Sequence, residues 1–137
     1  MFNLLESANC LEATFSAELN NIDKASAVTK HFLETTNINY SSFDILLVMR
    51  EALNNAVIHG CHRNTNKNVL YRVKLDQNEL AIEVEDEGDG FDWRAIMKRE
   101  PQPDWDHGRG FPILKHYCDH IYFNEKGNQL IIKIKIS

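Results

Sequence analysis

Several features that mark other protein classes are missing from this sequence of 137 residues. It has only three cysteines, an odd and widely separated set (Cys10, Cys61 and Cys118), so we expect reduced, mostly buried thiols and no disulfide framework. No apolar run approaches the roughly 20 residues that a membrane span needs. The N-terminus also lacks the basic start and long apolar run of a signal peptide. We therefore expect a cytoplasmic protein with no membrane partner.

Clusters of basic residues are absent as well, and the formal net charge is −5. Nucleic acid is thus not expected as a partner, since phosphate neutralisation needs clustered Lys and Arg. There is no Gly-x-x-x-x-Gly-Lys-Ser/Thr loop and no Gly-x-Ser-x-Gly elbow, which argues against a P-loop enzyme and an α/β-hydrolase. Zinc is disfavoured, because His59, Cys61, His62 and His107 match no structural zinc spacing.

What the chain does have is an ordinary globular composition, with 43% hydrophobic and 26% charged residues. Its length suits one domain, residues 1–137. Alternation of apolar and polar residues predicts strands, and longer periodic runs predict helices. The predicted strands cover 11–18, 69–75, 80–86, 121–124 and 129–136, and the predicted helices about 24–35, 42–60, 91–99 and 110–119. This order predicts an α/β (α+β) two-layer sandwich, with a mixed, largely antiparallel sheet and helices on one face.

The predicted helix 42–60 carries a polar stripe on a mostly apolar background. Glu51, Asn55 and His59 recur every four residues, which places them along one side of a helix. A solvated face is the ordinary explanation of such a stripe and stays open. However, Asn54 and Asn55 are poor helix residues, and an Asn oxygen suits a hard cation such as Mg²⁺. Glu51, one turn earlier, could orient or deprotonate a nucleophile beside that metal.

A second group of residues follows the predicted strand 80–86. Alternation puts Asp86 on the same face as Leu80, Ile82 and Val84, the face expected to meet the helices. An Asp that caps a turn before Gly is common and remains an alternative. The segment Asp86-Glu-Gly88-Asp-Gly90-Phe91 is more specific, because its glycines allow close approach of the backbone to a ligand. The Asp86 carboxylate could then accept a hydrogen bond from the amino group of adenine.

A third group, His107-Gly108-Arg109-Gly110-Phe111, stands just before a predicted helix. Glycines at a helix N-terminus expose backbone N–H groups, and the helix dipole adds to their attraction for anions. Arg109 could add a direct charge. A flexible loop with a glycine at the helix start is the alternative for this segment taken alone.

Taken in order, these three groups resemble the GHKL ATPases, and among them most the compact anti-sigma factor serine/threonine kinases. The resemblance rests on Glu51-x-x-x-Asn55-Ala-x-x-His59-Gly60, Asp86-x-Gly88-x-Gly90-Phe91 and Gly108-x-Gly110-Phe111. It covers nearly the whole chain, since the order of strands and helices also fits. The resemblance implies a Bergerat ATP-binding fold with ATP and Mg²⁺ as cofactors.

The resemblance also implies roles for individual residues. Glu51 would be the general base, Asn55 the Mg²⁺ ligand and Asp86 the acid that reads adenine, beneath a lid over about 92–110. The residues implied in nucleotide binding are Asn55, His59, Asp86, Gly88, Gly90, Phe91, Gly108, Arg109, Gly110 and Phe111. The implied partners are a small STAS-type antagonist, phosphorylated on serine, a sigma factor or analogous regulator, and a second copy in a homodimer.

Two functions remain open from the sequence. The first is the protein serine/threonine kinase, which Glu51 favours because a pure binder has no need of a base there. The second is a catalytically weak ATP-binding module that signals by partner binding. Pro101, Pro103 and Asp106 favour the second, since Asp106 stands where a further glycine is often found and an acid there would repel phosphate.

Overall fold

From β2 onwards, the described strands and helices follow one another in the order that the sequence predicts. The computed structural model describes residues 1–36, 38, 40–88 and 110–136, with the backbone alone at 110–113. The elements are β1 (Phe2–Glu6), β2 (Cys10–Ser16), α1 (Leu19–Thr36), α2 (Ser42–Asn54), a π-helical segment (Asn55–Gly60), β3 (Asn68–Leu75), β4 (Glu79–Asp86), α3 (Gly110–Tyr117), β5 (His120–Phe123) and β6 (Gln129–Lys135). The short helix expected at 91–99 lies outside the described residues.

The six strands form one sheet in the order β1-β2-β3-β4-β6-β5, and each of its pairings is antiparallel. The register places Tyr71 of β3 beside Val84 of β4, and Ile82 of β4 beside Ile132 of β6. Since side chains alternate along a strand, this register aligns one apolar row across the sheet.

The core lies between that apolar face and the helices. Leu11, Phe15, Tyr71, Ile82 and Ile132 are fully buried on the sheet side. Helix α2 packs against α1 and α3, and it contributes Ile45, Val48, Met49 and Leu53 to the core. The opposite face of the sheet is polar, as Arg72 forms ion pairs with both Glu12 and Glu83. The predicted two-layer sandwich with helices on one face is confirmed.

The N-terminal part of the chain differs from the prediction in two places. Strand β1 was not expected, because Leu4 and Leu5 interrupt the alternation, and both are exposed on this edge strand. Helix α1 begins at Leu19, five residues before the predicted start. Asn21 is already helical and buried, and its side-chain amide donates to the Ser16 carbonyl at 2.8 Å. Asn21 thus ties the helix start to β2.

The run 42–60 is continuous, but it is not one α-helix as predicted. Ser41 caps α2, since its hydroxyl accepts from the Asp44 N–H at 3.2 Å. From Asn55 the hydrogen bonds widen to the π pattern, in which the Cys61 N–H reaches the Ala56 carbonyl. π-Helical turns are rare in proteins, and those that occur are often found at functional sites. A π-helix has more residues per turn, so His59 is rotated away from the position that an α-helix would give it.

These elements meet at one end of the sheet. The π segment and α2 both contact β4, and β4 ends there at Asp86.

Among the described helices, none is both long and apolar enough to cross a membrane.

Candidate functional site

Asp86 is a buried acid at the last position of β4. Its side chain is only 5% exposed, because strand alternation places it on the core face after Val84. The Gly88 N–H donates to Asp86 Oδ1 at 2.8 Å, which closes a tight turn after the strand. A carboxylate can accept about four hydrogen bonds. Asp86 therefore keeps acceptor capacity on the side that faces the helices.

The surroundings of Asp86 raise the pKa of its carboxyl from 3.8 to about 6. Burial is the largest cause, since it disfavours the charged form. The Gly88 hydrogen bond and the positive charges of Lys126 and Lys67 act in the opposite direction. Asp86 is thus mostly ionised at neutral pH, and it is easily protonated in mild acid.

Two glycines enclose the Asp86 carboxylate. A Cβ atom at Gly60 would lie 2.4 Å from Asp86 Oδ2, and one at Gly88 would lie 1.8 Å from the Gly60 carbonyl oxygen. Both glycines are therefore needed for space. For Gly88 we predicted close approach to a ligand from the sequence, whereas in the structure its close neighbour is the backbone of the π segment.

Asn55 is the first residue of the π segment, and its side chain is 7% exposed. Its amide nitrogen Nδ2 is the one buried side-chain polar atom, among the residues the structure describes, that has no hydrogen-bond partner. A buried donor without a partner is costly, by about 1–3 kcal/mol. Such an atom indicates that a ligand with hydrogen-bond acceptors belongs here.

Asn55 and Asp86 line the same cavity. It lies between the helical run, β4 and the β5–β6 turn, and its enclosed volume is about 10 Å³. The lining residues are Ala52, Asn55, Ala56, Val84, Asp86, Phe123, Gly127, Asn128, Gln129 and Leu130. About one water molecule fits in such a volume, whereas ligand clefts usually measure about 300–1,000 Å³. The described residues thus bring Asn55 and Asp86 to one small cavity and do not by themselves enclose a nucleotide.

Glu51 and His59, the other two members of the polar stripe, do not line this cavity. Glu51 lies one turn before Asn55 and is partly buried, and burial raises the pKa of its carboxyl. His59 is partly buried within the π segment. The structure thus brings Asn55 together with Asp86, while Glu51 lies beside them on the same helical run.

The remaining predicted site residues belong to the glycine-rich segments. Gly110 and Phe111 form the start of α3, so the predicted helix does follow the glycine pair. Gly90, Phe91, Gly108 and Arg109 lie outside the described residues, and so does the lid expected at about 92–110, apart from Gly110.

Sequence reasoning did not place the turn that joins β5 to β6 in the site. Asn128 lines the cavity and hydrogen bonds to the Asp86 backbone, and the neighbouring Gly127 has a φ of 82°, which favours glycine. The strands on either side of Gly127, at 121–124 and 129–136, were predicted from the sequence. The place of this turn beside Asp86 depends on the pairing of β6 with β4, which no local pattern reveals.

The cysteines and possible metal ligands add little to the site. Cys61 is buried and reduced, and burial together with the nearby Asp86 charge raises the pKa of its thiol. Within the described ranges, no three His, Cys, Asp or Glu side chains gather to hold a metal ion.

Known proteins are similar to this chain in family profile, in sequence and in fold. The profile of a family described as the histidine kinase-like ATPase domain matches residues 15–134. The anti-sigma F factor of Clostridium acetobutylicum is 29% identical over 138 residues, which cover 94% of this chain and 95% of that protein. The anti-sigma F factor of Clostridium perfringens strain 13 is 30% identical over 102 residues, 69% of this chain and 72% of that protein.

Among solved structures, the chain is similar to the histidine kinase domain from the Erythrobacter litoralis EL346 blue-light activated histidine kinase, with a TM-score of 0.51. The two sequences are 15% identical, so this likeness concerns the fold alone. It covers 88% of this chain and 60% of the other. The sheet with helices on one face described above is therefore similar in fold to a known histidine kinase domain.

Proposed function

The chain belongs to the histidine kinase-like ATPase domain family, and from this premise we propose that it is an ATP-dependent protein serine/threonine kinase of the anti-sigma factor type. ATP binding follows from the family. The observation that carries the proposal is the pairing of two buried polar groups in one cavity, the Asp86 carboxylate and the partnerless Asn55 amide. A nucleotide would satisfy both groups. The exocyclic amino group of its nucleobase can donate to Asp86, and its phosphates can accept from Asn55.

In this proposal Asp86 accepts a hydrogen bond from the adenine amino group, and its burial excludes water that would compete for it. Asn55 has two tasks. Its Nδ2 would donate to an acceptor of the nucleotide, and its Oδ1 would serve as the Mg²⁺ ligand. Mg²⁺, when bound, neutralises charge on the phosphates. The glycine-rich segments Gly88–Gly90 and Gly108–Gly110, with Phe91, Arg109 and Phe111, would hold the rest of the nucleotide, with His59 beside them.

Glu51 would act as the general base. Its Oε accepts the hydroxyl proton of a partner serine as the serine oxygen bonds to the γ-phosphorus and the bond to the β-phosphate oxygen breaks, which releases ADP. Because burial raises the pKa of Glu51, its carboxylate is a stronger base than an exposed one. The names of the relatives support a sigma factor as one partner, and the sequence resemblance implies the others. We therefore propose a small STAS-type antagonist as the serine substrate, a sigma factor or analogous regulator as the bound target, and a homodimer of a single-domain, cytoplasmic chain.

One observation favours a second candidate, an ATP-binding module that signals through partner binding without efficient transfer. Glu51 does not line the cavity that Asn55 and Asp86 share. A base that never reaches the nucleophile would leave nucleotide binding intact and transfer weak.

The test is transfer of labelled γ-phosphate. The protein serves as bait in an extract of its own cytoplasm, and the captured partners are incubated with labelled ATP and Mg²⁺. The kinase proposal predicts label on a serine of one small partner. With that partner purified, Glu51→Ala should bind ATP as the parent does, while transfer falls about 10²- to 10⁴-fold, the usual effect of a positioned base. Because phosphoryl transfer relies heavily on charge stabilisation, we expect the lower end.

Glu34→Ala is the matched control, because Glu34 is an exposed glutamate of α1 with no place in the proposal. Its transfer rate should equal that of the parent. Equal rates for the parent and Glu51→Ala would remove Glu51 as the base. Nucleotide binding without any transfer by the parent would favour the binding module.

A further inference from the structure

We propose that Gly60 is a positioning residue that determines the adenine selectivity of the site, because its missing side chain leaves the space that the Asp86 carboxylate occupies. The inference deepens the proposed function and rests on it. Gly60 ends the helical run 42–60, and glycine is also a common helix stop, so that ordinary explanation has to be excluded first.

The first observation is the identity of the atoms around Gly60. The three nearest neighbours of an added Cβ are Oδ2, Cγ and Oδ1 of Asp86, at 2.4, 2.6 and 2.7 Å. Cβ atoms in proteins do not approach other atoms so closely. All three atoms belong to one side chain, so any residue larger than glycine at position 60 would have to displace the Asp86 carboxylate.

The second observation excludes the usual reason for a glycine at a helix end. That reason is a positive φ, which other residues adopt only with strain. Gly127 is the described glycine with a positive φ, and Gly60 is not one. The positive φ values after the π segment belong to His62 and Arg63, at 53° and 57°. Gly60 is therefore needed for space and not for its backbone conformation.

The third observation is that the Asp86 carboxylate cannot move aside without changing its orientation towards the nucleotide. Gly88 donates to Asp86 Oδ1 on one side, and the Gly88 backbone itself lies against the Gly60 carbonyl. Asn128 holds the Asp86 backbone through two hydrogen bonds. A side chain at position 60 would rotate the carboxylate, because the backbone around it is fixed.

Adenine and hypoxanthine differ at the atom that this carboxylate would meet. Adenine offers an amino donor there, and hypoxanthine a carbonyl oxygen that cannot donate to a carboxylate. A correctly placed Asp86 thus favours ADP over inosine diphosphate. A rotated carboxylate loses this preference, while contacts to the shared ribose and phosphates remain.

The experiment compares the parent with Gly60→Ala, Asp86→Ala and the double variant, by titration calorimetry with ADP and with inosine diphosphate in the presence of Mg²⁺. We expect Gly60→Ala to lower ADP affinity about 10- to 100-fold, as expected when a buried hydrogen bond is lost, and to bring the ratio of the two affinities towards one. A parent that prefers ADP, together with an unchanged ratio in Gly60→Ala, would overturn the inference and leave the proposed function standing. A parent that binds neither nucleotide would overturn both.

Urea unfolding of the same four proteins tests the contact without any nucleotide. Gly60→Ala should lower the unfolding midpoint in the parent. In the Asp86→Ala background it should leave the midpoint unchanged or raise it, because the three obstructing atoms are gone and Ala is the better helix former. An equal loss of midpoint in both backgrounds would contradict the contact.

Gly88→Ala is the contrast variant for this cycle. Its added Cβ would meet the Gly60 backbone carbonyl, which the Asp86→Ala substitution leaves in place. Gly88→Ala should therefore lower the midpoint in both backgrounds. The inference requires one pattern. Removal of the Asp86 carboxylate restores the unfolding midpoint of Gly60→Ala, but it does not restore that of Gly88→Ala.

Discussion

Asn128 and Asp86 are joined by hydrogen bonds in both directions. The Asp86 N–H donates to the Asn128 carbonyl at 2.9 Å, and the Asn128 side-chain amide donates to the Asp86 carbonyl at 3.0 Å. Asn124 in turn orients Asn128, since its amide donates to Asn128 Oδ1 at 2.7 Å. The β5–β6 turn thus fixes the end of β4, and with it the carboxylate that the proposed site depends on.

Asn128→Ala removes the side-chain half of this clamp. We expect a loss of about 1 kcal/mol in the free energy of unfolding, the usual net contribution of one hydrogen bond, and a several-fold weaker affinity for ADP. Urea unfolding and calorimetry measure the two effects. Asn66→Ala, a change at an exposed asparagine in the loop before β3, serves as control and should alter neither. Unchanged ADP affinity in Asn128→Ala would show that the clamp does not position Asp86.

The contribution of Asp86 to the stability of the protein should fall between about pH 4 and pH 6. The folded state raises the pKa of Asp86 from 3.8 to about 6. Below about pH 4 the group is protonated in both states, so its contribution to stability is fully present there. As pH rises, the unfolded chain releases this proton first, and the contribution, of up to about 3 kcal/mol, is lost by the time pH passes 6. Asp86→Asn removes this proton equilibrium, so its unfolding free energy relative to the parent should rise over that range.

The affinity for ADP should show the opposite pH dependence. A protonated Asp86 cannot accept from the adenine amino group through its ionised oxygens, and at pH 5 about nine tenths of the free sites are protonated. Affinity should thus be about tenfold weaker at pH 5 than at pH 7 in the parent, measured by calorimetry. Asp86→Asn is the control, because its side chain cannot be protonated in this range, and the difference between the two pH values should vanish in it. A parent with equal affinities at the two pH values would contradict the role of Asp86.

A buried hydrogen bond between α1 and β3 gives a prediction about the fold alone. The Thr29 hydroxyl donates to the Ala25 carbonyl at 2.7 Å, so Tyr71, whose oxygen lies 2.7 Å from it, must donate to Thr29. Tyr71→Phe removes this donor and leaves Thr29 paired, which should cost about 1 kcal/mol. Thr29→Val strands the buried Tyr71 hydroxyl and should cost more, about 1–3 kcal/mol. Urea unfolding measures both, and a smaller loss for Thr29→Val would contradict the assigned direction of donation.

Most of the fold follows from local patterns. Strands β2, β3, β4 and β6 alternate apolar and polar residues, and this period alone indicates which residues face the helices. Strand β1 could not be predicted in this way, because Leu4 and Leu5 are adjacent in the sequence and both are exposed. The π segment could not be predicted either, since over six residues a period of 3.6 cannot be told from a slightly longer one.

The site is predictable where residue chemistry is unusual and local. A buried acid at the end of β4 and an unfavourable asparagine in a helix both stand out in the sequence, and the structure places both in one cavity. The roles of Gly60 and Asn128 depend on distant parts of the chain. Gly60 acquires its meaning only when the π segment meets β4, and Asn128 only when β6 pairs with β4. Neither contact can be predicted from the spacing of residues within its own segment.

The most direct test of the account is titration of ADP with Mg²⁺ into the parent and into Asp86→Ala, with Asp23→Ala, a change at an exposed acid of α1, as control. The account predicts that the parent and Asp23→Ala bind alike. Asp86→Ala should bind about 10- to 100-fold more weakly, a loss of roughly 1–3 kcal/mol, because the adenine amino group is left without its acceptor. Equal affinity of Asp86→Ala and the parent, or no binding by the parent, would contradict an adenine-nucleotide site built on Asp86.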